Sequence, residues 1–216
     1  MKEGYFTPEN LPGKAREMLA SLVPHRRKQP PRFLPCDAAL LVLDMQAYFL
    51  DPASHAFVPS SAAILPGVRA LVEAFGACHR PVISTRHLNT LKDAGQMSSW
   101  WRDLLTGDHP YSQVSPTLDF TGAIILYKPQ YDAFYATNLE DELRSRSITQ
   151  VVICGVMTHL CCETTARSAF MRGFQVFFCV DGTATYTEAH HRAALLNLAH
   201  GFATLVTVTD ILEALK

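Results

Sequence analysis

The sequence predicts an α/β fold: a doubly wound, six-stranded parallel sheet with helices on both faces, preceded by an N-terminal arm. Three observations predict it. Six short apolar runs recur between residues 39 and 208, and helical stretches separate most of them. Each run is continuous rather than alternating, the pattern of strands covered on both faces. A chain of 216 residues, 48% hydrophobic and 18% charged, suits one domain with a full core.

Residues 1–36 form the arm. Pro8, Pro12, Pro24, Pro30, Pro31 and Pro35 punctuate it, and His25, Arg26, Arg27 and Lys28 make a basic cluster. One short helix is expected at 13–22, and the cluster reads as a solvated surface. The arm packs on the domain or on a neighbouring subunit. The domain proper runs over 37–216. Its strands are expected at Ala39–Leu43, Val82–Thr85, Ala123–Leu126, Val151–Cys154, Val176–Val180 and Thr204–Val208. Helices are expected at 62–78, at 138–146 behind Asn138 as N-cap, at 160–172 before Gly173, and at 187–200 between Thr187 and Gly201.

Composition excludes several functions. The net charge of −1 leaves no basic footprint for nucleic acid or an anionic membrane. No apolar run is long enough to span a bilayer, and the N-terminus lacks the apolar core of a signal peptide. A cytoplasmic location is the expectation. The six cysteines, at 36, 78, 154, 161, 162 and 179, include no C-x-x-C pair. They read as reduced thiols rather than as a disulfide framework or a zinc ribbon.

In open parallel sheets, ligands bind beyond the carboxyl ends of the strands. Asp44, His87, Lys128 and the segment 155–161 lie there. Asp44 at a desolvated rim suits proton transfer, or serves as a helix cap or loop ion pair. Lys128 either holds nearby anions or packs its stem on apolar surface. Cys161 leads into a helix, where the dipole favours thiolate and free N–H groups can receive an oxyanion; the alternative is a buried structural thiol. Cys162 points into the core, and Cys154 and Cys179 pack inside strands.

Three stretches in order, LLVLDMQAYFLDP at 40–52, LYKPQYDAF at 126–134 and ICGVMTHLCCETTARSAFMRGF at 153–174, resemble the isochorismatase-like, or cysteine hydrolase, family. The likeness covers about residues 36–215 and includes FFCVDGTATYTEAHHRAALLNL at 177–198. The resemblance implies a six-stranded parallel sheet and an Asp-Lys-Cys triad, falling here on Asp44, Lys128 and Cys161. It also implies a cis peptide at Val156–Met157 and an oxyanion hole made by the N–H groups of Met157 and Cys161. The implied activity is hydrolysis of a C–N bond in a small amide, ureide or carbamoyl compound through a Cys161 acyl-enzyme, with no organic cofactor.

Two alternatives stand beside it. Isochorismatases carry Gly where Cys161 stands and split a vinyl ether with the aspartate as acid; YFLDP, the arm and the VDGTATYTEAHH stretch lean toward them. A redox-sensing or binding protein on the same fold is the other, suggested by the Cys161-Cys162 pair. Nicotinamidases in this family add a metal on a D-x-H pattern. Asp51 and His55 are spaced D-x-x-x-H, with His87 as a possible third ligand, so no bound metal is expected. Gln46, Phe49, His87, Tyr131, Phe134 and His159 are the expected substrate contacts. Trp100 and Trp101, in the loop 94–102, cover the site or a subunit contact. His190 and His191 are expected on a helix surface, and family members assemble as homodimers or homotetramers.

Overall fold

The computed structural model describes residues 2–216. A six-stranded sheet forms in the order β3-β2-β1-β4-β5-β6, with every pair parallel. The strands are β1 Ala38–Leu43, β2 Val82–His87, β3 Ile124–Lys128, β4 Gln150–Val156, β5 Gln175–Ala184 and β6 Thr204–Val206. The helices are α1 Leu11–Ser21, α2 Ala47–Leu50, α3 Ser61–Ala77, α4 Met97–Trp100, α5 Leu139–Ser145, α6 Glu163–Met171, α7 Glu188–Gly201 and α8 Val208–Ala214. The doubly wound fold is thus the one the sequence predicts, and the strand order reverses between β1 and β4, where such folds open a ligand crevice.

The apolar runs sort by position in the sheet. Every residue of β1 and β4 is buried, because helices cover both faces of the central strands. Leu40, Leu41, Leu43, Ile64, Leu71, Phe75, Phe177 and Phe178 form the core between them. Edge strand β3 departs from the expectation of two covered faces. Ile125 and Tyr127 are exposed, and Tyr127 instead lies under the Arg86 guanidinium, 5.3 Å from its ring centroid. An apolar run alone does not say which strand lies at the edge.

Local signals account for most element ends. Thr187 caps α7 by accepting from the His190 N–H. Gly173, at φ +85°, ends α6, and Phe174 N–H reaches back to the Ala169 carbonyl. Asn138 makes no capping bond; its amide donates to Glu142 Oε1 instead. The run 204–208 divides, since Thr207 and Asp210 form a capping box that starts α8 and stops β6. The arm is not a solvated appendage throughout. Tyr5, Phe6, Ala15, Met18 and Leu22 are buried in the common core. No helix among the described residues is long and apolar enough to cross a membrane.

Candidate active site

Asp44, Lys128 and Cys161 converge at the carboxyl ends of β1, β3 and β4. Lys128 Nζ lies 2.8 Å from Asp44 Oδ2, with both side chains wholly buried. The same ammonium donates to Cys161 Sγ at 3.4 Å and to the Gln130 carbonyl at 2.8 Å. Thr85 on β2, which the sequence reading missed, holds the other carboxylate oxygen. Its hydroxyl donates to Asp44 Oδ1 at 2.6 Å and accepts from Asp44 N–H at 3.0 Å. Asp44 itself adopts φ +51°, a left-handed turn that Asp tolerates better than most residues. Strand β1 therefore ends by turning its carboxylate into the crevice.

The electrostatics follow from burial and pairing. Burial alone raises the Asp44 carboxyl, but the adjacent Lys128 ammonium outweighs it and holds the group below its ordinary value. Burial alone lowers Lys128, and Asp44 with Cys161 raises it above its ordinary value. Cys161 goes the other way. Burial and the Asp44 charge push its thiol up to about 12, against the pull of Lys128. Cys161 lies in a π-helical turn, Thr158–Cys162, that runs directly into α6, and the single charge of Lys128 is shared between its thiol and Asp44.

The turn begins at the cis peptide Val156–Met157 that the resemblance implied. Cys162 N–H and Leu160 N–H both fold back on the Met157 carbonyl, at 3.2 and 3.1 Å. Gly155 enables the approach. At φ +113° it lies so close to β1 that a Cβ would fall 2.1 Å from the Leu43 carbonyl oxygen.

A cavity of about 190 Å³ opens onto Cys161. Its walls are chiefly apolar and aromatic, including Phe49, Tyr131, Trp101, Tyr186 and Met157. An apolar cavity of about 150 Å³ holds benzene, so this one suits a single ring with its substituents. Trp101 Nε1–H donates to Tyr131 Oη at 2.7 Å, which brings Trp101 over the cavity while Trp100 is exposed. The loop carrying Trp101 is closed at its neck, where Asn89 N–H donates to the Leu105 carbonyl at 2.8 Å. His87 lines the cavity with Nε2 2.9 Å from Asn89 Oδ1. Burial and then Lys128 push its imidazole down to about 4.

Three expected substrate contacts lie elsewhere. Gln46 is fully buried and clamps the backbone, accepting from His87 N–H and donating to the His87 and Ser112 carbonyls. Phe134 stacks on Phe174 and lies under Arg172. His159 turns away to Thr185 Oγ1 at 2.6 Å and stacks on His190. Adjacency in sequence to a motif did not give the direction of these side chains. His191, expected on a surface, is fully buried. Asp51 Oδ1 accepts from Ala53 N–H, and His55 Nε2 lies 3.3 Å from Asp103 Oδ1. Among the described residues, no group of three or more His, Cys, Asp or Glu side chains gathers to hold a metal. This donor set does not fit the family's metal site.

Comparison with known proteins bears on family and fold. The family model described as the Isochorismatase domain matches residues 38–210. Nicotinamidase 3 of Arabidopsis thaliana is 38% identical over 183 residues, covering 82% of this chain and 88% of its own. Enterobactin synthase component B of Escherichia coli (strain K12) is 29% identical over 84% of this chain and 65% of its own. The crystal structure of a cysteine hydrolase from Pseudomonas syringae pv. phaseolicola superposes with a TM-score of 0.83 at 26% identity, over 88% of this chain and 98% of that one.

Proposed function

The chain belongs to the isochorismatase family of hydrolases, and from that premise we propose that it cleaves the C–N bond of a small, flat amide through a Cys161 acyl-enzyme. One observation carries the reading: a thiol and a carboxylate share a buried ammonium at the mouth of an aromatic-walled cavity. Nicotinamidase 3, a relative at 38% identity, points to an aromatic carboxamide such as nicotinamide as the first substrate to try.

The chemistry follows from the resting protonation states. Cys161 rests as a thiol and Asp44 as a carboxylate. When a carbonyl carbon reaches Sγ, Asp44 takes the thiol proton and the sulfur attacks. Lys128 stays protonated and offsets the charge passing from oxygen to sulfur. The N–H groups of Met157 and Cys161 receive the tetrahedral oxyanion. Asp44 returns its proton to the leaving nitrogen, and a water that Asp44 deprotonates then releases the acid. No step calls for a metal or an organic cofactor.

The test is a panel of aromatic carboxamides, ureides and carbamoyl compounds assayed with wild type, Cys161→Ala and Cys161→Ser. Both variants are expected to lose at least about 1,000-fold in kcat/KM while remaining folded. Full turnover by Cys161→Ala would overturn the reading. Pyruvate release from isochorismate by that variant, abolished in Asp44→Asn, would establish vinyl-ether hydrolysis in its place.

A further inference from the structure

The arm reaches the back of the nucleophile turn. Tyr5 is buried, and its hydroxyl accepts from Thr185 N–H at 3.0 Å. The same hydroxyl lies 3.1 Å from His191 Nδ1, and the Thr158 hydroxyl lies 3.0 Å from that nitrogen. Thr158, Thr185 and His191 are all fully buried. Thr158 opens the turn between Met157 and Cys161, whose N–H groups are the proposed oxyanion donors. Neighbouring residues of the arm brace the cavity wall. Glu3 N–H donates to the Tyr186 carbonyl at 2.7 Å, and the Lys2 ammonium lies 4.4 Å from the Tyr186 ring centroid.

We propose that Tyr5 is a positioning residue, its hydroxyl holding Thr158 through His191 and so fixing the turn that carries Met157 N–H and Cys161. The hydroxyl is the working part. The ring is already anchored by packing against Phe6 and His191, with centroids 4.6 and 5.4 Å away. Loss of the hydroxyl alone leaves that packing in place. It leaves the buried Thr185 N–H without its acceptor and removes one of the two hydroxyls that share His191 Nδ1, which loosens the cluster behind Thr158. Burial keeps the His191 ring neutral, pushing it down to about 3, so the link carries no charge and does not change across the physiological range. An oxyanion hole acts through donors fixed before the reaction, so a small drift of the turn costs rate rather than substrate affinity.

The consequence for turnover rests on the amide-hydrolase reading; the coupling between arm and turn does not. The experiment uses full-length Tyr5→Phe, Thr158→Val and the double variant, with steady-state kinetics on the best carboxamide and hydrogen exchange across the chain. Tyr5→Phe is expected to lower kcat about 10-fold with KM within about 2-fold. Amides of 157–162 should exchange faster while those of β1 and β6 hold their rates. Thr158→Val should show the same loss, and the double variant no further loss, because one link is broken twice. Wild-type kcat and exchange in Tyr5→Phe would overturn the proposal. So would losses that multiply in the double variant, or exchange that accelerates uniformly through global destabilisation. Should wild type hydrolyse no carboxamide, the amide-hydrolase reading fails by itself. The exchange pattern then decides whether Tyr5 holds the turn.

Discussion

Lys128 faces two partners with one charge, and that shapes what substitution does. Removing it strands the Asp44 carboxylate in a fully buried site. Lys128→Met is therefore expected to cost about 3–5 kcal/mol in urea unfolding, and Asp44→Asn in the same chain should recover part of it. The pH dependence has a definite sign. Asp44 is held low in the fold, so its contribution to stability is present above its unfolded value of about 3.9 and is lost as pH falls through its lower folded value. Lys128 is held high, so its contribution is present below about 10.4 and is lost as pH rises through its folded value. Turnover should stay level between about pH 6 and 8 and fall on the acid side as the Asp44 carboxylate, held below its ordinary value beside Lys128, takes up a proton. A kcat/KM profile with a step near pH 7 would contradict this assignment. Strand-end position put Asp44, Lys128 and the segment 155–161 forward with structural alternatives still open, and the family resemblance then joined them as a triad. Thr85 was not legible, since a threonine inside an apolar run reads as ordinary strand, and its hydroxyl gains meaning only when β1 and β2 pair.

Elements showed the same division. Central strands announced themselves because burial on both faces demands unbroken apolar runs. The start of α6 did not, because a π-helical turn leaves no periodic trace over five residues. It leaves Cys161 two residues ahead of α6, at the helix entry that the sequence had suggested. Short helices α2 and α4, of four residues each, are below the length at which periodicity can be read. Gly155 is the position where an element is most sensitive. Gly155→Ala forces a Cβ against the Leu43 carbonyl in a backbone conformation that L residues avoid. We expect it to lose at least about 4 kcal/mol or to fail to accumulate as folded protein. Gly173→Ala, at φ +85° with nothing within 4 Å of its Cβ, should cost about 1 kcal/mol. Denaturant midpoints for the two variants separate crowding from backbone preference.

At the scale of the molecule, burial sorts the six cysteines. Cys36 and Cys78 are exposed, while Cys154, Cys161, Cys162 and Cys179 are buried. A thiol-reactive dye on native protein should therefore label Cys36 and Cys78 quickly, Cys161 slowly through the cavity because its thiol is held high, and Cys154, Cys162 and Cys179 only on unfolding. Proline and charge set residues 1–36 apart in the sequence, but which of their side chains join the common core was not visible. Tyr5 and Phe6 have no periodic partners nearby in sequence, so their burial against α7 is invisible before the chain is folded.

One feature of the loop above the cavity bears on how such a molecule changes over generations. Its neck is a single backbone contact between Asn89 and Leu105, outside the sheet and independent of side-chain identity at those two positions. Residues between them lie outside the strands that hold Asp44, Lys128 and Cys161 and touch the site through Gln130 and Tyr131. Selection can thus retune what enters the cavity while the strands that carry the reacting groups stay as they are. A lineage carrying this architecture can diversify its diet by rewriting about 15 residues, and loop grafts between relatives should move substrate preference as a cassette.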